Sequence, residues 1–128
     1  MQDSRRLNVW QEAHQLALAA YRATHAFPDE ERYGLASQMR RCSVSIASNI
    51  AEGCGRGTDA DFARFLHIAM GSASEFEYQT LLAADLGYLD ADERASLASS
   101  AQSVKRMLAA LLKRLNQRAD LQPPTADS

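Results

Sequence analysis

Between Leu35 and Gly53 the apolar residues Leu35, Met39, Cys42, Ile46 and Ile50 recur at intervals of four, three, four and four. That rhythm follows the helical period of about 3.6 residues and puts all five side chains on one face, where a strand would need strict alternation. Similar stripes return elsewhere. An early one holds Trp10, Ala13, Ala17, Ala20, Tyr21 and Thr24; a later one holds Phe62, Phe65, Leu66, Ala69, Ala73, Phe76, Thr80 and Ala83. The last holds Leu97, Ala101, Val104, Leu108, Leu111 and Leu115, and no strand-like alternation competes with any of them. The chain reads as all-α.

The punctuation divides it into four helices. The first is expected from Asn8 to Ala26, with Asn8 as its cap, Gln11 completing a box-like pair, and Phe27-Pro28 ending it. The second runs from Glu31 to Glu52, stopped by Gly53, Gly55 and Gly57. Thr58 then caps a third helix lasting to about Leu86, with Asp61 in the third position. After the turn Gly87-Tyr88-Leu89, Asp90 and Glu93 form a capping-box start to the fourth. Short connections between long amphipathic helices predict antiparallel neighbours, hence an up-down-up-down four-helix bundle. Residues 1–118 make one domain; residues 119–128 are expected to be a disordered tail, since Pro123-Pro124 follow and apolar periodicity is lost from Gln117.

With 128 residues and 46% hydrophobic content the chain can bury a core. No apolar run approaches the roughly 20 residues of a membrane span, and the N-terminus lacks a signal-peptide core, so a cytoplasmic location is expected. Cys42 and Cys54 are separated by twelve positions of one helix, roughly 18 Å at the α-helical rise, too far for a bridge. Cys42 belongs to the core stripe; Cys54 falls in the Gly-rich turn, open to exposure.

A net charge of −2 and a pI near 5.9 provide no overall basic field. The distribution is uneven: Lys105, Arg106, Lys113, Arg114 and Arg118 lie between Gln102 and Arg118 without one acid, while acids gather at Asp29-Glu30-Glu31 and from Asp90 to Glu93. Acids at helix starts and bases at helix ends also suit the helix dipole. Arg40 and Arg41 admit two readings, an ion pair with Glu52 or Glu75, or a phosphate contact. The candidate nucleic-acid contacts are therefore Arg40, Arg41, Lys105, Arg106, Lys113 and Arg114.

Chemistry is sparse. His14, His25 and His67 form no metal-binding spacing, and Gly53 to Gly57 lacks the strand and Lys-Ser/Thr ending of a phosphate loop. Ser43, Ser45 and Ser48 have no nucleophile elbow, and Glu52 is expected to accept from an arginine or a helix start. No cofactor and no catalytic set is expected. The polar load beside the second stripe suits a helix packed on more than one side. Gln38, Ser45, Asn49, Glu52, Gly53, Gly71 and Glu75 are thus assembly candidates, with Gly71 expected to mark a close contact inside this chain or with another subunit.

Residues Trp10 with Ala13-His14, Phe27-Pro28, Glu31 to Leu35, Gln38 to Arg41, Ser43 to Ile46, Asn49 to Gly53, Phe65-Leu66, Ala69, Gly71-Ser72 and Glu75 together carry a resemblance. The chain resembles the four-helix-bundle proteins encoded in intervening sequences of bacterial 23S rRNA genes, often labelled ribosomal-protein-like. The likeness spans Val9 to about Leu115. It implies a bundle that joins copies of itself in a ring-like homopentamer and supplies no catalytic residues. The chain also looks like the accessory protein of diversity-generating retroelements, which shares the bundle and works with RNA through a strongly basic surface that a chain at −2 lacks. Two functions are expected from this: a non-enzymatic, RNA-associated accessory or assembly module, or a protein-binding scaffold ring without nucleic acid.

Overall fold

The computed structural model describes residues 4–121. Four helices account for most of them: α1 (Asn8–Thr24), α2 (Leu35–Cys54), α3 (Asp59–Asp85) and α4 (Ala91–Leu121). Consecutive helices pack against each other, α4 closes back on α1, and among the described residues the backbones of the diagonal pairs stay apart. The pairing runs antiparallel. Cys42 meets Ser72 while Gly53 meets Phe62; likewise Lys105 meets Glu77 while Arg118 meets Asp59. This is the up-down-up-down bundle that the stripes predict.

All five apolar residues of the α2 stripe and all six of the α4 stripe are buried. Phe76, Leu16, Met39, Ile46, Ile50 and Leu66 are the largest side chains wholly inside. The α1 stripe is centred differently from its sequence reading: Val9 and Leu16 are buried with Ala13, Ala17 and Ala20, whereas Tyr21 is 47% exposed. Small alanines let α1 sit close to its neighbours. Two buried threonines, Thr24 and Thr80, satisfy their hydroxyls on carbonyls one turn back, Ala20 and Phe76.

Several boundaries differ from expectation, each for a local reason. Asn8 is the first residue of α1 and not its cap; extended Leu7 precedes it without a side-chain cap, and Gln11 donates instead to the Arg5 carbonyl at 2.9 Å. This ties the 3-10 turn Ser4–Arg6 over the helix start. The helix ends at Thr24, two residues before the expected Ala26. In the second helix Asp29–Glu31 form a separate 3-10 turn after Pro28, and α2 begins only at Leu35. Glu31 caps it from outside: its carboxylate accepts from the Leu35 N–H at 3.2 Å and from the Tyr88 hydroxyl at 3.0 Å. That second bond also holds the Tyr88 phenol protonated above its ordinary range.

The far end of α2 runs through Gly53 to Cys54, so Cys54 is buried helix and not exposed turn. Neither cysteine is in a disulfide. The expected caps of the last two helices form. Thr58 Oγ1 accepts from Asp61 N at 3.1 Å, and Asp90 and Glu93 exchange side-chain and backbone bonds at 2.7 and 3.1 Å. Helix α4 continues to Leu121, past the expected domain end at 118; the rest of the expected tail lies outside the described residues. No described helix is long and apolar enough to cross a membrane.

Candidate functional site

The polar residues of α2 sort by what they touch. Cys42 donates its S–H to the Ser72 carbonyl at 3.0 Å and lies 3.7 Å from Glu75 Oε2. Burial, then the Glu75 charge and hydrogen bond, push its thiol up from 9.0 to about 12. Ser45 and Ser72 share a hydrogen bond at 3.0 Å across α2 and α3. Asn49 donates to the Ser45 carbonyl at 2.8 Å and to its hydroxyl at 3.1 Å, and Ser43 donates to the Arg40 carbonyl at 2.9 Å. Cys42 and Ser45 thus form a seam between α2 and α3, whereas the hydrogen bonds of Ser43 and Asn49 close on α2 itself.

Gly53 belongs to the same seam, and its role is close approach more than helix termination. A Cβ there would sit 2.9 Å from the Phe62 ring and 3.0 Å from Phe65 Cβ. Gly71 is different: an added Cβ meets nothing within 4 Å, so it marks no tight contact in this chain. It lies on an outward stripe of α3 with Ile68, three residues before it and more than two-fifths exposed; Val44 on α2 is exposed to a similar degree but is turned about 100° from Ser45, which faces α3. Gln38, Arg41, Glu52 and Glu75 are exposed on the same two helices.

Neither arginine of the Arg40-Arg41 pair reaches Glu52 or Glu75. Arg40 turns toward α1: Nε donates to Thr24 Oγ1 at 2.8 Å, another guanidinium nitrogen donates to the Tyr21 carbonyl at 3.4 Å, and Cζ lies 4.8 Å from the Tyr21 ring centroid. It is a tie between α1 and α2. Arg41 is exposed, with no carboxylate partner among the described residues. Glu52 accepts from Arg56 at 2.6 Å, as expected for a carboxylate beside an arginine. Arg56 and Arg64 flank the Phe65 ring at 4.9 and 4.6 Å.

The α4 cations divide likewise. Lys105 pairs with Glu77 at 2.7 Å and joins α3 to α4. Arg106, Lys113 and Arg114 are exposed. Lys113 and Arg114 border a cleft of about 840 Å³ between the start of α1 and the end of α4, where Arg6 and Arg118 join them. Sequence reasoning did not include Arg6, because only the closure of α4 onto α1 brings it there. Among the described residues, no group of three His, Cys, Asp or Glu side chains is placed to hold a metal ion.

The fold is that of a small antiparallel helical bundle. Residues 5–110 match the family described as the 23S rRNA-intervening sequence protein, and the chain belongs to that family. Among solved structures it is similar to a protein of unknown function from a ribosomal protein family in Bacteroides thetaiotaomicron. The two are 24% identical with a TM-score of 0.76, over 82% of this chain and 95% of that one. That likeness shows the fold. No curated protein matches the chain.

Proposed function

We propose that this chain is a non-enzymatic, cytoplasmic bundle that joins copies of itself in a ring, a homopentamer, and acts as an RNA-associated accessory or assembly module. The single observation that supports self-assembly is the outward stripe of α3. Ile68 leaves apolar surface in solvent there, and Gly71 leaves the α3 backbone open to close approach by a neighbouring subunit. RNA association is supported by family membership and by the exposed cations of α4. In a ring each cation is repeated by symmetry, so local fields arise that the monomer's −2 conceals.

Titrating the purified protein against structured rRNA fragments tests the RNA half. Binding that weakens steeply with added salt is the expected result. Binding no stronger than that of an unrelated acidic protein would reject it. A partner captured from lysate that survives nuclease treatment would move the assignment to a protein-binding scaffold.

A further inference from the structure

Acids are more numerous at one end of the bundle and cations at the other, although Arg22, Arg32 and Arg94 stand at the first end and Glu52, Asp59 and Asp61 at the second. At the end where α1 finishes and α4 starts stand Asp29, Glu30 and Glu31, then Asp85, Asp90, Asp92 and Glu93. At the opposite end, the cleft between the Ser4–Arg6 turn and the last turns of α4 collects Arg6, Lys113, Arg114 and Arg118, and no acidic side chain lines it. Arg118 shares its charge with Asp59 at 3.2 Å. Arg6, Lys113 and Arg114 have no carboxylate partner among the described residues. Like charges gathered in a concavity raise each other's energy and focus a positive field outward.

We propose that this cleft is a docking surface for the phosphate backbone of a structured RNA, contacted through Arg6, Lys113 and Arg114 without reading its bases. The proposal rests on the RNA-associated reading above and assigns it a surface. Two features favour the phosphate backbone of a base-paired RNA. No aromatic side chain lines the cleft, so unpaired bases have no stacking platform there. What remains is a set of free cations, the groups that pair with phosphates irrespective of sequence. Arg106 lies two turns from Lys113 on the same stripe of α4 and extends the cationic track beyond the cleft. In a ring whose axis runs along the bundles, every copy presents this end on the same side, giving one cationic rim.

The test is a salt series of binding titrations with a labelled RNA hairpin. It compares the full chain with Arg6→Ala, with Lys113→Gln/Arg114→Gln, and with Arg41→Ala as an exposed cation outside the cleft. All four altered side chains are exposed and without a carboxylate partner among the described residues, and far-UV circular dichroism checks that helicity is kept. The slope of log K against log salt is expected to fall by about one for each cleft cation removed, and to stay unchanged in Arg41→Ala. If the full chain binds and the cleft variants keep its slope, the cleft assignment is overturned while the RNA reading survives. If the full chain fails to bind the hairpin at low salt, the RNA reading falls and the assignment with it. Capture of a labelled polyglutamate in place of the hairpin would transfer the cleft to an acidic protein partner, also against the proposal.

Discussion

Cys42 is where the α2–α3 seam should respond to pH. Its thiol is buried against the Ser72 carbonyl and Glu75, and its ionisation is raised to about 12. The folded state therefore favours the neutral thiol more than the unfolded chain does. The stabilisation is complete below the unfolded value of 9.0 and is lost progressively as pH climbs from there toward about 12. Thermal unfolding of the protein and of Cys42→Ala across that window should show a steeper alkaline decline in the unaltered chain; parallel curves would contradict this. Gly53 gives a steric counterpart. Gly53→Ala gains roughly 1 kcal/mol of helix propensity, but its Cβ would press on the Phe62 ring and on Phe65 Cβ. Overpacking costs typically about 1–3 kcal/mol, so a net loss in chemical denaturation is expected, and a stabilised variant would show that the contact relaxes freely.

Among the elements, the ends of the helices explain both the successes and the misses of sequence reasoning. Thr58 and the Asp90–Glu93 pair use side chains short enough to meet only the adjacent turn, so their spacing alone identified them. Asp90→Ala should cost about 1 kcal/mol in denaturant midpoint analysis through loss of that cap. The start of α2 was harder to read because Asp29-Glu30-Glu31 resembles an acidic first turn. The Glu31 carboxylate in fact reaches Leu35 N–H and Tyr88, a residue distant in sequence. The α1 stripe was similarly ambiguous. Alanines stand on several sides of that helix, so its buried face is set by where α2 and α4 lie, and Leu16 emerged inside while Tyr21 faced outward.

At the scale of the whole molecule, the stripes sufficed for the bundle but not for its surfaces. The cation run on α4 was legible, whereas the addition of Arg6 depended on α4 closing against α1. The polar load of α2 pointed to assembly, yet Ser43, Ser45 and Asn49 are satisfied within the monomer. The case for assembly passes to the exposed α3 stripe of Ile68 and Gly71. Gly71→Ala separates the two levels: with nothing within 4 Å, it should raise intrinsic helix stability by roughly 1 kcal/mol while loosening any subunit that approaches closely there. Concentration-dependent thermal unfolding reads both effects, and unchanged self-association would remove Gly71 from the interface.

The most direct test of self-assembly is the native mass of the unaltered chain in solution at micromolar concentration. Five subunits of 14.1 kDa correspond to a particle of about 70 kDa, and that is the mass the account predicts. A single species of 14.1 kDa under those conditions would contradict it.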